Sequence, residues 1–394
     1  MRKTVCFLLC LVILSTPALA AFPLPEDTFS LACTASLLME RQTGTVIYAR
    51  NEHEHLSPAS VTKVMTLLLV AEAVDSGAVS PEETVTASAN AASMGGSQIW
   101  LRQGEEMTVS EMTKCVAVVS ANDCAVALAE HLCGSESAFV ARMNQRAAEL
   151  GLTDTNFTNC TGLFEDSDHY TCAYDIAVMS RELLSHAFVR QYTTLWTDTI
   201  RDGEFGLSNT NKLVRFYDGC TGLKTGFTSK AMFCLAASAM REDTEYIAVI
   251  LHGDTSQLRF DAARALLDYA FANCAVYTPE TDGLYTLPVE LGKADFVPVI
   301  CPHAEGVLVE KAALSRLSAE AQLPESAAAP IEEGQVLGEL VITDGSEELA
   351  RLPLVAGAAV ERQSLLTLWK SLLLTMISGG KDHSDLAKQS ASAL

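Results

Sequence analysis

This sequence has few positively charged residues and no two cysteines at C-x-x-C spacing. Each of these features argues against a class of protein. Among the 394 residues, 27 lysines and arginines stand against 49 aspartates and glutamates, a formal net charge of −22. A chain this acidic does not attract polyanions by its overall charge, so we expect no nucleic-acid partner. The twelve cysteines include no C-x-x-C pair, which argues against zinc ribbons and thioredoxin-like redox sites.

The N-terminus has the three parts of a secretory signal peptide. Arg2 and Lys3 form a basic start, residues 5–14 are apolar, and residues 18–20 read Ala-Leu-Ala, a small-residue cleavage site. We therefore expect residues 1–20 to be removed. The mature protein is then exported to the outer face of the cytoplasmic membrane or to the cell wall.

Ten cysteines remain after removal of residues 1–20. Cys160 and Cys172 bracket a polar loop and could form a disulfide in an oxidising compartment. Cys115 and Cys124 lie in an apolar run that is typical of buried thiols. An exported protein from an anaerobic environment could also keep all ten cysteines reduced.

The order of periodic segments predicts an α+β domain. Residues 35–50 alternate about Thr43 and Gly44 as a β-hairpin. Three strand patterns follow one another from about residue 213. Helices are expected from Ser57 onward and over residues 108–132, 136–150, 172–186 and 258–272. This order implies an antiparallel sheet between helices, with a helical subdomain inserted.

The C-terminal third of the chain has a different composition. Residues 276–360 contain few helical periods and many valines, leucines and prolines, which predicts a separate small β domain. Residues 361–394 follow as a helix and a polar tail. One face of this helix carries Leu365, Leu368, Trp369, Leu372, Leu373 and Met376. The helix is too short to span a bilayer but suits a membrane interface, with docking on the β domain as the alternative.

A serine and a lysine three residues apart stand where the first long helix is expected to begin. Ser57 can cap this helix and Pro58 suits its first position. Residues at i and i+3 share a helix face, so Lys63 can lie within hydrogen-bonding reach of Ser60. A nucleophile and its base need this proximity, but the spacing alone does not distinguish them from a capped core helix with a solvated lysine.

Two further triplets make the pattern specific. Ser120-Ala121-Asn122 lies in the second long helical stretch, and Lys224-Thr225-Gly226 lies in a strand-like segment. The order S-x-x-K, S-x-N, K-T-G resembles the active-site set of serine penicillin-recognising enzymes. Single triplets recur elsewhere, such as Ser-Ala-Asn at residues 88–90, so the joint order carries the resemblance.

More of the chain resembles one branch of that superfamily, the D-alanyl-D-alanine carboxypeptidases, which are low-molecular-mass penicillin-binding proteins of the S11 peptidase family. The stretches that carry the resemblance are ASLLMERQTGTVIYARN, SPASVTKVMT, GGSQIWL, NTNKLV and GLKTGFT. The resemblance implies the penicillin-binding/β-lactamase-like transpeptidase fold over residues 21–275. It also implies a serine-type carboxypeptidase that trims peptidoglycan stem peptides ending in D-Ala-D-Ala, β-lactams as covalent inhibitors, and no cofactor.

The same resemblance implies roles for individual residues. Ser60 is expected to attack the penultimate D-Ala carbonyl, and a neutral Lys63 to take its proton. Ser120 is expected to relay a proton to the leaving amine. Asn122 is expected to hold the substrate amide and Lys63. The backbone N–H groups of Ser60 and Phe227 are the expected oxyanion hole.

The third motif is expected to bind the substrate's terminal carboxylate. Lys224 supplies a cation beside the base, Thr225 a hydroxyl, and Gly226 a backbone that substrate can approach closely. Arg259 matches a family arginine for carboxylate binding, and a surface arginine at a helix start is the alternative. Phe227 departs from family members that have histidine after K-T-G, which leaves fine substrate preference and pH response open.

Rival functions make different demands on the sequence. A class A-like β-lactamase needs an E-x-x-L-N segment; Glu165 falls in that interval, but its surroundings, EDSDH, do not match. A non-catalytic cell-wall binding protein of the same fold would be expected to lose Ser60, Lys63 or Lys224. An endopeptidase is disfavoured by the added β domain, although sequence does not separate the two peptidase activities.

His53 and His55 are candidate metal ligands by residue type. They are two residues apart on a loop before the helix, and the sequence offers no third clear ligand. We therefore predict a solvated turn and no metal.

Overall fold

The computed structural model describes residues 22–163, 167–279, 285–302, 306–345, 347–364 and 369. The predicted signal peptide, Glu165 and most of the predicted C-terminal helix lie outside these residues. The chain divides into two compact units. The larger holds residues 22–277 and 307–314, and the smaller holds the rest of the described chain. The domain boundaries inferred from sequence stay a prediction.

The helices of the described residues lie almost entirely in the larger unit. Short 3₁₀ turns cover Glu26–Thr28, Ala59–Thr62 and Lys311–Arg316. The α-helices are α1 (Lys63–Asp75), α2 (Ala89–Ala92), α3 (Val109–Val119), α4 (Asn122–Cys133), α5 (Glu136–Glu149), α6 (Ala173–Leu183), α7 (Ala187–Thr193), α8 (Leu213–Phe216) and α9 (Ser256–Asn273).

The strands build one central sheet in the larger unit and a second sheet in the smaller one. The strands are β1 (Ala35–Glu40), β2 (Val46–Arg50), β3 (Thr84–Thr86), β4 (Glu106–Thr108), β5 (Thr197–Ile200), β6 (Phe205–Ser208), β7 (Cys220–Thr228), β8 (Met232–Arg241), β9 (Thr244–Gly253), β10 (Cys274–Tyr277), β11 (Tyr285–Glu290), β12 (Phe296–Ile300), β13 (Val307–Glu310), β14 (Leu317–Gln322), β15 (Ala327–Ala328), β16 (Val336–Asp344) and β17 (Glu347–Ala356). The small pairs β3–β4 and β5–β6 were not predicted.

The central sheet is antiparallel in the order β2-β1-β9-β8-β7 and is buried on both faces. Successive side chains of a strand point to opposite faces. Leu37 and Met39 therefore join a core that contains Leu67 of α1, whereas Leu38 joins a second core with Leu266 of α9. This confirms the predicted sheet between helices, and the predicted α+β fold class.

The start of the first long helix differs from the prediction. Helix α1 begins at Lys63, and a 3₁₀ turn over Ala59–Thr62 precedes it. Pro58 occupies the capping position of that turn and makes no side-chain cap bond, so the prediction of Ser57 as the cap was wrong. The reason is local: Ala59 has a positive φ of 47°, which interrupts a regular helical start.

The helix predicted over residues 108–132 is two helices. Its start is as expected, because Thr108 and Glu111 form a reciprocal capping box. It breaks at Ser120, which takes a left-handed conformation with φ 64° and ends α3. Helix α4 then begins at Asn122. The apolar pattern runs on through the break, so periodicity could not reveal it.

The possible disulfide between Cys160 and Cys172 is not formed. Both are free thiols in the structure. The Cys160 thiol donates to Glu136 Oε1 at 3.3 Å. Cys172 caps α6, where its sulfur accepts the Asp175 N–H at 3.3 Å. Each sulfur thus makes a hydrogen bond with a different residue.

The smaller unit is the predicted β domain. Its six strands have the order β14-β16-β17-β12-β11-β15. Its core includes Leu287, Val297, Leu340 and Leu354. Strand β10 pairs instead with β13, inside the larger unit. In the part of the chain that the structure describes, no helix has the length and apolar character needed to span a membrane.

Candidate active site

Ser60 and Lys63 are in direct contact. The 3₁₀ turn carries Ser60, and Lys63 is the first residue of α1. Lys63 is completely buried, and its Nζ donates to Ser60 Oγ at 3.0 Å and to the Thr161 carbonyl at 2.8 Å. Burial lowers the pKa of Lys63 to about 7, although Cys160 and Asp123 oppose that shift. Near neutral pH this lysine can therefore be an unprotonated base.

A loop that the sequence analysis missed supports this pair. Asn159 Oδ1 accepts the backbone N–H groups of Thr161 at 3.1 Å and of Gly162 at 2.7 Å, which folds the loop back. Gly162 has φ +70°, and a Cβ there would lie 1.8 Å from the Ala59 carbonyl oxygen. Only glycine allows this loop to approach the turn that carries Ser60. The segment NCTG, rich in turn formers, was the available signal.

His169 is a second missed residue. It is buried, and its Nδ1 accepts the Thr158 N–H at 3.1 Å, so its Nε2 carries the proton. Nε2 then donates to Thr62 Oγ1 at 2.8 Å, and that hydroxyl donates to the Ala59 carbonyl at 2.8 Å. His169 thus holds both ends of the turn around Ser60. The sequence places it about a hundred residues away, with no motif to mark it.

The second motif lies at the break between α3 and α4. Ser120 is buried, and its Oγ makes no hydrogen bond to any described residue. Asn122 donates from Nδ2 to the Gly95 carbonyl at 2.7 Å, while its buried Oδ1 also lacks a partner among them. The expected bond between Asn122 and Lys63 is therefore not formed, because Lys63 uses the Thr161 carbonyl instead. Unpaired buried polar atoms are rare, which makes these two atoms candidates for contact with a ligand or an ordered water.

The third motif is joined to the second through one threonine. Thr225 donates from Oγ1 to Thr210 Oγ1 at 2.8 Å. The Thr210 N–H in turn donates to the carbonyl of Val118, at 3.1 Å. Because Val118 precedes Ser120 by two residues, these two hydrogen bonds of Thr210 connect the K-T-G strand to the helix break. Thr210 had no assigned role in the sequence analysis beyond its place in NTNKLV.

Lys224 places a second buried lysine near the first. Its Nζ donates to the Thr225 carbonyl at 3.0 Å. Burial lowers the pKa of Lys224 well below its ordinary value, and the positive charges of Lys63 and Arg259 lower it further. Two interacting lysines release their protons as a coupled pair. A charge on either one disfavours a charge on the other.

Gly226 brings the edge strand against the nucleophile. A Cβ on Gly226 would lie 2.7 Å from the Pro58 carbonyl oxygen and 3.1 Å from the backbone nitrogen of Ser60. Strand β7 is an edge of the central sheet. No described strand pairs with its outer side, and an extended peptide could align there.

Arg259 and Phe227 occupy opposite environments beside this strand. Arg259 is buried and donates from one terminal nitrogen to the carbonyls of Gly226 at 2.9 Å and Cys234 at 3.1 Å. The alternative of a surface arginine was thus wrong. Burial lowers the pKa of Arg259 to about 10. The Phe227 ring is 56% exposed and packs on Phe233, with 4.5 Å between centroids.

The fold and this set of residues define a serine acyl-transfer enzyme of the penicillin-recognising class. A hydroxyl lies beside a buried lysine of lowered pKa, and further buried cations lie close by. Such a site can form an ester on the serine and can bind an anionic group near the scissile bond.

Comparison with known proteins defines the family within that class. Residues 23–255 match the sequence model of D-alanyl-D-alanine carboxypeptidases, and residues 279–362 match that of the penicillin-binding protein 5 C-terminal domain. The chain is 40% identical over 385 residues to the D-alanyl-D-alanine carboxypeptidase DacF of Bacillus subtilis (strain 168), covering 94% of this chain and 97% of DacF. The chain therefore belongs to the D-alanyl-D-alanine carboxypeptidase family, as its motifs predicted.

Solved structures agree with this assignment. Penicillin-binding protein 5 from Haemophilus influenzae superposes with a TM-score of 0.77 at 27% identity, over 85% of this chain and 99% of that one. Penicillin-binding protein D2 from Listeria monocytogenes, in its ampicillin-bound form, superposes with a TM-score of 0.57 at 29% identity, over 62% of this chain and all of that one. These matches confirm the predicted fold, and with the family they confirm the predicted enzyme class, a serine-type D-Ala-D-Ala carboxypeptidase.

Proposed function

We propose that the enzyme removes the terminal D-alanine from peptidoglycan stem pentapeptides through an acyl-enzyme on Ser60. One observation carries the proposal: Lys63 Nζ lies 3.0 Å from Ser60 Oγ, and burial lowers the pKa of that lysine to about 7. A base with this pKa is substantially unprotonated at neutral pH and still basic enough to accept the hydroxyl proton.

In the acylation step, Lys63 takes the proton as Ser60 Oγ bonds to the penultimate D-Ala carbonyl carbon. The carbonyl oxygen becomes negative and accepts hydrogen bonds from the N–H groups of Ser60 and Phe227. The close approach of β7 to the Ser60 nitrogen supports this pairing. Ser120 gives its hydroxyl proton to the amide nitrogen and takes up the proton held by Lys63, the C–N bond breaks, and D-alanine leaves with Lys63 neutral again.

Substrate is held by polar groups of the second and third motifs. Asn122 Oδ1, which has no partner among the described residues, accepts the substrate amide N–H. Lys224 and Thr225 bind the terminal carboxylate, since both belong to the strand that lies against the nucleophile. Arg259 holds the Gly226 carbonyl, which positions this strand, and it adds positive charge near the carboxylate.

Deacylation reuses the base. Once D-alanine has left, a water molecule reaches the ester, gives a proton to Lys63 and releases the tetrapeptide, while Ser60 recovers its proton. A β-lactam forms the same ester, but its leaving group stays tethered and obstructs that water. β-Lactams are therefore covalent inhibitors of this enzyme.

We place the protein outside the cytoplasm. The family's substrate lies in the cell wall, and residues 1–20 have the pattern of a secretory signal. The tail from residue 361 has the composition of an interfacial helix that associates with the membrane surface.

Product analysis tests the proposal. The mature protein is incubated with stem pentapeptide or with cross-linked muropeptide dimer, and products are identified by mass. We expect tetrapeptide and free D-alanine from the first substrate and an unchanged dimer from the second. Cleavage of the cross-link alone would show an endopeptidase instead.

A matched pair of serine variants tests the nucleophile. Ser60→Ala should release no D-alanine and form no covalent adduct with penicillin. Ser88→Ala is the control, because Ser88 belongs to the other Ser-Ala-Asn triplet and merely caps α2. It should keep both activities. Labelling of Ser120, or full labelling of Ser60→Ala, would contradict the assignment.

A further inference from the structure

Two histidines, a carboxylate and a thiol from distant parts of the chain meet beside the turn that carries Ser60. His53 Nδ1 and His55 Nε2 each lie 2.9 Å from a different oxygen of Asp154, about a hundred residues further along the chain. One donor atom from each of His53, Asp154 and Cys172 lies within 4.8 Å of the other two. The fold thus supplies the ligands that the sequence around His53 lacked.

The two imidazoles are held in place by aromatic neighbours. The His55 ring stacks on Tyr170 with 4.4 Å between centroids and 12° between planes. The His53 ring lies against Tyr174 at 5.2 Å. These contacts orient both rings toward Asp154 before any ligand binds, which reduces the entropy lost on coordination.

The backbone holds the two segments in fixed register. The Leu56 N–H donates to the Thr171 carbonyl at 2.8 Å, and the Thr171 N–H donates back to the Leu56 carbonyl at 3.0 Å. Cys172 follows directly and caps α6, an eleven-residue helix. A helix N-terminus stabilises a thiolate. Without a cation, burial raises the pKa of Cys172 to about 12, whereas a bound metal ion holds a thiol deprotonated.

We propose that His53 Nδ1, Asp154 Oδ2 and Cys172 Sγ bind one Zn²⁺ ion, with His55 as the positioning residue of Asp154. A mixed nitrogen, oxygen and sulfur set suits zinc, and three protein ligands leave a fourth position for water. Zinc–ligand bonds of about 2.0 to 2.3 Å place the donor atoms roughly 3.5 Å apart. His53 Nδ1 and Asp154 Oδ2 are 2.9 Å apart and would separate slightly, and the Cys172 sulfur lies within 4.8 Å of the other two donor atoms.

Each proposed ligand can reach the protonation state that metal binding requires. Cys172 releases its thiol proton to solvent on binding. His53 gives up the Nδ1 proton that it donates to Asp154, and its neutral imidazole then carries a proton on Nε2 only. Asp154 is ionised beforehand, because hydrogen bonds from His55 and His53 lower its pKa. His55 keeps its bond to Oδ1 and so fixes the carboxylate while Oδ2 meets the metal ion.

A second cluster, Glu72, Glu182 and His186, is geometrically similar but differs in charge. Arg146 already donates to Glu72 at 2.7 Å and to Glu182 at 3.2 Å, so a guanidinium occupies the place of a cation. This contrast makes His186 a matched histidine control for His53.

A zinc ion at this site would stabilise the structure around Ser60 and would take no part in the acyl-transfer chemistry. It would tie the segment that leads into Ser60 to the chain between Asp154 and Cys172. That chain carries Thr161, whose carbonyl accepts from Lys63, and His169, which holds Thr62.

Metal titration of the mature, reduced, chelator-stripped protein tests the proposal. Zn²⁺ is titrated in competition with a chromophoric chelator, and Co²⁺ is added separately for its absorption spectrum. We expect one ion per chain, a rise in melting temperature, and a thiolate-to-cobalt charge-transfer band. His55→Ala should weaken binding about 10- to 100-fold. His53→Ala and Cys172→Ser should weaken it more.

Controls keep the result interpretable. Serine is itself a good cap, so Cys172→Ser preserves the start of α6. His186→Ala and Cys133→Ser should bind like the parent protein. A cobalt spectrum without the thiolate band, no zinc uptake, or unchanged affinity in His53→Ala would each overturn the site. The cobalt spectrum needs no variant, so misfolding of a mutant cannot obscure the outcome.

Discussion

Acylation of Ser60 should depend on pH through the proton that Lys63 must lose to act as the base. Burial lowers the pKa of Lys63 to about 7, and the lysine acts in its unprotonated form. The sign follows directly: acylation is slow below that pKa, rises with pH and levels off above it. For a single proton, the rate constant at about pH 5 should be roughly 100-fold below the plateau. An ordinary lysine would reach its plateau only above about pH 10.

The measurement is the second-order rate constant for acylation by a fluorescent penicillin. It is taken from about pH 5 to about pH 9, a range in which the penicillin carboxylate stays ionised. Circular dichroism at each pH shows that the protein remains folded. Ser60→Ala supplies the background labelling, and intact mass verifies one adduct per chain.

Three results would refute this reasoning. A rate constant that does not change between about pH 5 and pH 8 would show that Lys63 is not the titrating base. A rate constant that still rises at about pH 9 without levelling off, as for a base with the ordinary lysine pKa of about 10.4, would show that burial does not lower the pKa of Lys63. An inflection near 7 that persists in Lys63→Arg would also count against Lys63.

Three further predictions concern other parts of the chain. Gly226→Ala should slow acylation about 100-fold, because its Cβ would lie 2.7 Å from the Pro58 carbonyl oxygen; an unchanged rate would contradict the close approach of β7. Glu165→Gln should leave the slow release of penicillin unchanged, whereas loss of a rapid penicillin hydrolysis would indicate a β-lactamase. Truncation before Arg362 should keep activity on soluble peptide and release the protein from membranes. Continued sedimentation with membranes in low and high salt would show that the tail is not the anchor.

Secondary structure was predicted best where a local sequence pattern alone determines the local structure. The apolar runs in the sequence correctly predicted strands β7, β8 and β9 and helix α9. The capping box at Thr108 also forms as predicted. The helix break at Ser120 could not be predicted, because Val118 and Cys124 on either side are equally apolar and buried. A left-handed serine there reflects tertiary packing, which overrides local propensity.

The supporting groups of the site were missed for a different reason. Lys63 is held by the carbonyl of Thr161. Every residue has a backbone carbonyl, so the sequence cannot show which one accepts this hydrogen bond. His169 reaches Thr62 only because the chain returns after a long excursion. Motifs therefore mark the residues that we propose to react, while the residues that position them depend on long-range contacts that no spacing rule describes.

The paired lysines suggest how the site can couple binding to reactivity. Lys63 and Lys224 are both buried, and each disfavours a charge on the other. A substrate carboxylate beside Lys224 favours the charged form of that lysine. Repulsion then favours the neutral form of Lys63, which is the form that accepts the proton of Ser60. A peptide without a free terminal carboxylate makes no such contribution. If Lys224 binds the carboxylate as proposed, we therefore expect selectivity for the chain end to come from the electrostatics of the base as well as from contacts to the substrate.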